Sequence, residues 1–256
     1  MNNAHLHALY TLLSKDLNCQ PDDFRRSSDV LTVPAPREGR RLYTPYPPFF
    51  QMATLGSNTV ISADPQLHPF LKQLLQTAQG HRLFELPALI EIDTALRRFG
   101  YRLSPTHFMF LPERDAVPAV SCPVRWFYEQ EIHAFYGDKR FPNAICPAFV
   151  PERPDRIVVC AYDGETITGM AGCSADAPHW QQIGIDVLPA YRGKGIGCML
   201  VTLLKNKLLA QGDIPFYGTA AANYASMHTA LRAGFQPVWT EITAEPLWID
   251  ETQAPK

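Results

Sequence analysis

Apolar and polar residues change rhythm partway along the chain. From Arg156 onward the apolar positions fall into short, regular runs. Arg156 to Tyr162 is a β-type stretch, Asp163-Gly164 is a hairpin turn signal, and Ile167 to Cys173 reads as the returning strand. Trp180 to Val187 predicts a third strand. Successive side chains of a strand alternate, so Ile183, Ile185 and Val187 share one face and Gln182, Gly184 and Asp186 the other. After a glycine-rich turn, Ile196, Met199, Leu200, Leu203, Leu204 and Leu208 recur at helical spacing. A strand near Ile214 to Thr219, a helix from Asn223 to Ala233 and a strand near Pro237 to Ile242 close the series. This order predicts a mixed α/β layer.

The earlier part is irregular. Of 23 prolines, 17 lie at or before Pro154, against 5 of 15 glycines. Pro34, Pro36, Pro45, Pro47 and Pro48 predict extended, loop-rich chain. Helices are predicted from Pro65 to Gln79, from Pro87 to Phe99 with Gly100 as its stop, and from Val124 to Tyr136 ending at Gly137.

A chain of 256 residues makes one large or two small domains. Hydrophobic residues at 46% and charged residues at 19% place it among globular proteins. A net charge of -2 argues against a nucleic acid or an anionic membrane as partner, since both reward a strong positive field. No apolar run approaches the roughly 20 residues of a membrane span, and the start lacks the pattern of a secretory signal. The six cysteines include no CxxC pair and no histidine at ligand spacing. They predict free, mostly buried thiols in a reducing cytoplasm and no metal site.

The chemistry concentrates in Val187-Leu-Pro-Ala-Tyr-Arg192-Gly-Lys-Gly195-Ile-Gly197, which joins a strand to a helix. Gly193, Gly195 and Gly197 let the backbone approach a ligand closely. The helix start adds free N–H donors and a partial positive charge. Arg192 and Lys194 add full charges. Together they form an anion cradle suited to a pyrophosphate. It is neither a Walker loop nor GxGxxG.

This segment resembles the acetyl-coenzyme A signature of the GNAT superfamily of N-acetyltransferases, whose Arg/Gln-x-x-Gly-x-Gly/Ala core is matched by Arg192, Gly195 and Gly197. Asn223 through Gly234-Phe235 is similar to the superfamily's Asn-to-Gly-Phe helix. The wording around PFYGTAAANYAS resembles a bacterial branch with an additional N-terminal domain. The resemblance implies an α/β protein with a GNAT-type mixed, mostly antiparallel sheet flanked by helices over residues 120–256. It also implies an N-terminal α+β domain over 1–119, a reduced copy of the same fold being one reading of it. It implies acetyl-CoA as co-substrate, with no metal. Pantetheine would bond to backbone near Ile185 and Val187. The pyrophosphate would sit on Arg192, Gly193, Lys194, Gly195, Ile196 and Gly197. Asn223 and Ser226 would reach the coenzyme arm, although Asn223 is equally read as a plain helix N-cap.

The implied reaction is direct acetyl transfer to a primary amine, on a small molecule or a peptide; GNAT proteins are often dimers, so a homodimer is one expectation and the oligomeric state stays open. Asp186, on the strand beside the expected thioester, is the expected base, acting directly or through water; capping a backbone group is the alternative role. His228 and Tyr224 are the next acid–base candidates. One departure stands out. The superfamily's helix usually carries a tyrosine four residues before the glycine, as acid to the leaving thiolate, and here that position is Ala230. Either another group does that work or the thiolate leaves unaided. A non-catalytic acyl-CoA-binding or regulatory protein, and a transferase of longer acyl groups, are the rival readings.

Overall fold

The computed structural model describes residues 3–247. In chain order the elements are α1 (Asn3–Asp16), β1 (Val30–Thr32), β2 (Phe50–Thr54), β3 (Thr59–Ala63), α2 (His68–Leu74), α3 (Leu86–Arg97), β4 (Tyr101–Leu103), β5 (His107–Pro112) and β6 (Val124–Tyr128). Then follow β7 (Asp155–Asp163), β8 (Thr166–Ala177), β9 (Trp180–Val187), α4 (Ile196–Ala210), β10 (Ile214–Ala220), α5 (Tyr224–Arg232) and β11 (Phe235–Pro246). Two compact units form. One is residues 110–237; the other combines residues 3–109 with residues 238–247.

In the 110–237 unit, β6, β7, β8 and β9 pair antiparallel in that order, and β10 joins β9 in parallel. This is the mixed, mostly antiparallel sheet flanked by helices that the resemblance implied. The helix α4 is buried nearly all round. Ile196, Met199, Leu200, Val201, Leu204 and Leu208 are all buried, each contributing about 1.5–3 kcal/mol of burial. Lys205 is buried with them. Its Nζ donates to the Arg114 carbonyl at 3.0 Å, and burial holds its ammonium below the ordinary lysine range.

One expectation needs correction. The stretch from Val124 to Tyr136 is not a helix but strand β6 followed by a 3-10 turn from Glu129 to Phe135. Arg125, Trp126 and Phe127 pair along β7, and β-branched and aromatic side chains suit that pleated surface better than a helix. The predicted helix at Pro65–Gln79 is shorter, with α2 ending at Leu74.

In the other unit, β1 pairs parallel with β3, β3 antiparallel with β2, and β2 antiparallel with Thr240–Thr243 of β11. β4 pairs with the end of β11. Phe50, Met52, Ile61, Leu71, Leu74, Ile92, Leu96 and Ile242 make its core. A buried ion cluster ties its ends together. Arg41 reaches both carboxylate oxygens of Glu241 at 3.0 and 2.7 Å and Asp16 at 2.6 Å, and Trp239 Nε1 donates to Glu241 at 2.8 Å. The Arg41 charge, the Arg41 hydrogen bond and the Trp239 hydrogen bond outweigh burial and hold Glu241 below the ordinary carboxylate range.

Candidate active site

Strands β9 and β10 share only four paired positions, from Ile214↔Trp180 to Tyr217↔Ile183. Both strands run on past that last rung, β9 to Val187 and β10 to Ala220, without pairing to each other. A wedge therefore opens after Ile183 and Tyr217. On its far side β9 stays paired to β8 down to Gly169↔Val187. The Leu188 N–H bonds to the Thr168 carbonyl at 2.9 Å. Backbone groups of an antiparallel pair alternate in direction, so Ile185 and Val187 turn their N–H and C=O groups into the wedge. That edge can accept an extended, amide-bearing ligand as a further strand.

The cradle sits where β9 gives way to α4. Gly193 (φ 75°) and Gly195 (φ 83°) adopt the left-handed conformation that disfavours any side chain. Gly195 is the N-cap of α4 and offers no side chain to satisfy the helix start. The first rung runs from Met199 N–H to the Gly195 carbonyl at 3.0 Å. The N–H groups of Ile196, Gly197 and Cys198 precede it and are available to an anion. Arg192 is exposed, and its Nε donates to the Val187 carbonyl at 2.9 Å, which fixes the turn and leaves its terminal nitrogens outward. Lys194 Nζ lies 4.9 Å from the centre of the Tyr191 ring, and the Tyr191 hydroxyl donates to Asp163 at 2.9 Å. Gly197 has a different role: a Cβ there would make ordinary contact with Val187 and Ile185, so α4 packs closely on β9.

The opposite face of β9 carries Asp186. Its Oδ2 accepts the N–H groups of Asn143 (2.6 Å) and Ala144 (2.9 Å), and its Oδ1 accepts Asn143 Nδ2 (2.7 Å). Three of about four lone-pair positions are thus filled. The carboxylate anchors the 143–145 segment over Gly172 and Gly184. A Cβ on either glycine would collide with the Ala144 or Asn143 carbonyl. Both strands are glycine here because another backbone lies directly on them.

At the start of α5, Asn223 Oδ1 accepts the Ser226 N–H at 3.2 Å, so Asn223 is an N-cap. Ser226 Oγ lies 2.7 Å from the hydroxyl of Tyr217. Tyr217 is 2% exposed. Burial, and to a lesser degree the Asp186 charge, push its phenol up to about 12, against the pull of the Ser226 hydrogen bond. Tyr224 is 65% exposed and His228 is exposed as well. Ala230 is fully buried. Cys173 is buried and its thiol is pushed up to about 12 by desolvation, which removes it as a nucleophile.

The wedge and the cradle therefore bring together Ile185, Val187 and residues 192–197, with Asn223 and Ser226 on the neighbouring helix. Tyr224 and His228 share that helix but face solvent. Sequence reasoning missed Tyr217, Asn143 and the paired Gly172 and Gly184. The glycine pair was a readable signal, being small residues at two positions of otherwise regular strands. Among the described residues no group of three or more His, Cys, Asp or Glu side chains is placed to hold a metal ion. No helix of the described residues is long and apolar enough to cross a membrane.

Residues 122–235 match the acetyltransferase (GNAT) family. No curated protein matches the sequence. Among solved structures, a GCN5-related N-acetyltransferase from Sphaerobacter thermophilus is 14% identical, with 95% of this chain and 93% of that one covered at a TM-score of 0.46. A GNAT-family acetyltransferase from Colwellia psychrerythraea is 14% identical, with 60% of each chain covered and a TM-score of 0.43. A Salmonella typhimurium protein solved with acetyl-CoA as its cofactor is 17% identical, with 52% of this chain and 97% of that one covered at a TM-score of 0.35.

Proposed function

Residues 122–235 belong to the acetyltransferase (GNAT) family, and on that premise we propose that this protein transfers an acetyl group directly from acetyl-CoA to a primary amine. One observation carries the reading: the open wedge between β9 and β10 ends at a side-chain-free helix start flanked by Arg192 and Lys194. A long ligand with amides at one end and a pyrophosphate at the other matches both halves of that arrangement. Ile185 and Val187 would hold the pantetheine amides. Residues 192–197 would hold the pyrophosphate, and Asn223 and Ser226 would flank the arm.

The chemistry asks little of the chain. The amine must lose a proton before it attacks. The carbonyl oxygen then gathers negative charge, which a backbone N–H turned into the wedge at Val187 would stabilise. Holding donor and acceptor in line supplies much of the rate. Asp186 serves as a positioning residue. It fixes the segment that borders the acceptor side, and its remaining lone pair suits a water that carries off the amine proton. Tyr224 and His228, exposed on α5, would contact an acceptor and not the coenzyme. The acceptor is a small-molecule or peptide amine.

The test is release of free thiol from acetyl-CoA with a panel of primary amines. Amine-dependent release, with transfer of the acetyl group to nitrogen seen by mass spectrometry, is expected. Tight coenzyme binding with no release across the panel would instead support a non-catalytic acyl-CoA-binding protein. That reading is favoured by the buried Ala230, which removes the usual acid from α5, and by the hydrogen bonds that already occupy Asp186. A preference for longer acyl donors would redirect the donor assignment.

A further inference from the structure

Beyond the cradle, the wedge has an apex, and the apex carries a hydroxyl pair. Tyr217 is the last residue of β10 to pair with β9, through Ile183, so its backbone stands where the two strands part. Its ring is held in place, edge-on to Phe110 with centroids 6.4 Å apart and tilted against Phe235 at 6.1 Å. The ring is buried and its hydroxyl reaches Ser226 Oγ at 2.7 Å. Ser226 is half-buried in the first turn of α5, and that turn is fixed by the Asn223 cap.

Either hydroxyl can be the donor of this bond, and relative acidity favours the phenol. Both hydroxyls keep their protons at working pH, but a phenol is a stronger acid than an alcohol and so the better donor, with the serine oxygen the better acceptor. When it donates to Ser226 Oγ, the serine proton is released to point elsewhere. Ser226 is half-exposed, so it has somewhere to point. The Thr229 hydroxyl, farther along α5, is committed: it donates to the Ala225 carbonyl at 2.9 Å. One turn along the helix, Ala230 offers none.

We propose that Ser226 is the hydrogen-bond donor to the coenzyme sulfur, and that Tyr217 is the positioning residue that aims it. This rests on the acetyl-transfer reading and deepens it. In the step served, the amine nitrogen forms a bond to the carbonyl carbon and the carbon–sulfur bond breaks. The sulfur leaves with the bonding pair, and the amine proton goes to water. The products are the amide, a proton and the thiolate. Ser226 keeps its proton throughout. A thiol near 8.5 is a much stronger acid than a phenol at about 12 or an alcohol, so the hydroxyl pair stabilises the thiolate without protonating it. This answers the loss of the tyrosine at 230: the thiolate is met by hydrogen bonds from β10 through α5.

The test uses the free thiol coenzyme and needs no acceptor. Binding of CoA to the intact protein is measured by titration calorimetry at pH 7.5 in two buffers of different ionisation enthalpy, which reports protons released. Wild type is expected to strengthen the acidity of the bound thiol by about tenfold, the scale of one charged hydrogen bond. Binding then releases a measurable fraction of a proton, while acetyl-CoA, which has no free thiol, releases none. Ser226→Ala should abolish the release while still binding CoA. Ser226→Thr should restore it, and Tyr217→Phe should reduce it. Equal proton release by wild type and Ser226→Ala overturns the assignment. So does wild type that binds CoA and releases nothing, and in that case the transfer reading survives. Wild type that binds no coenzyme at all sinks both.

Discussion

Replacing Gly184 with alanine tests whether the segment over β8 and β9 is built as described. A methyl at this position would occupy the space of the Asn143 carbonyl, which is backbone and cannot rotate away. Gly184 has an ordinary strand conformation, so alanine costs nothing in local backbone strain. The whole penalty comes from lifting residues 143–145. Lifting them breaks the three Asp186 hydrogen bonds at 2.6, 2.7 and 2.9 Å and drags Ala144 and Ile145 from a core that includes Phe141, Val158 and Met170. Hydrogen bonds to a charged group contribute about 1.5–3 kcal/mol each, and partial exposure lets water replace some of that. A net loss of about 3 kcal/mol is expected from Gly184→Ala. Urea unfolding, comparing midpoints at constant slope, reads it directly. Gly164→Ala is the control, since it meets open space at φ 58° and should cost only about 1–2 kcal/mol of strain. Gly172→Ala should resemble Gly184→Ala, and the double variant should cost less than the sum, because both displace one segment. A Gly184→Ala protein within about 0.5 kcal/mol of wild type would refute the close approach and with it the anchoring role of Asp186.

Other outcomes follow from the same reasoning. Arg192→Ala should weaken coenzyme binding by about 1.5–3 kcal/mol, roughly 10- to 100-fold, without loss of stability; unchanged affinity in calorimetry would remove the pyrophosphate assignment. Arg41→Met strands Asp16 and Glu241 in the interior and should destabilise the protein by about 3–5 kcal/mol in denaturant titration. Asp186→Asn should lower both stability and turnover, because an amide cannot accept from three donors in the present geometry; turnover at the wild-type rate would end its positioning role. Tyr217 ionises near 10 when unfolded and at about 12 when folded. The folded state therefore keeps its proton longer, and the stability this group supplies is complete below pH 10 and lost as pH rises toward 12. Tyr217→Phe should flatten that alkaline limb of the stability profile, and an unaltered limb would show that the phenol is not the group responsible.

The second half of the chain was the legible half. Strand alternation placed β9 at its observed bounds, and the helical stripe of α4 was read from six positions of which only Leu203 is not fully buried. The glycine turn before α4 was legible because positive-φ glycines have a local cause. What could not be read was non-local. The wedge depends on where pairing between β9 and β10 stops, a property of two strands and the helix between them. The partners of Asp186 lie 42 and 43 residues away in sequence. Alternation on β9 placed its side chain on the right face but could not say that a second backbone already filled it. Tyr217 is one residue of a short predicted strand with nothing local to mark it, and its hydroxyl gains meaning only through Ser226. In the first half, short strands such as β1 and β4 carry too few residues to show a period, whereas α1, with Leu9, Leu12 and Leu13 buried at helical spacing, was legible and went unread.

The central claim is that the wedge and the glycine turn together form an acetyl-CoA site. Titration calorimetry of acetyl-CoA into the wild-type protein, alongside Gly195→Val, tests it most directly. A β-branched residue at φ 83° meets both backbone strain and Val120, so it deforms the cradle while leaving the paired core of the sheet alone. The account predicts saturable binding at one site per chain in wild type and loss of that binding in a variant that still unfolds cooperatively. A folded wild-type protein that takes up no acetyl-CoA, or a Gly195→Val protein that binds it equally well, would contradict the account.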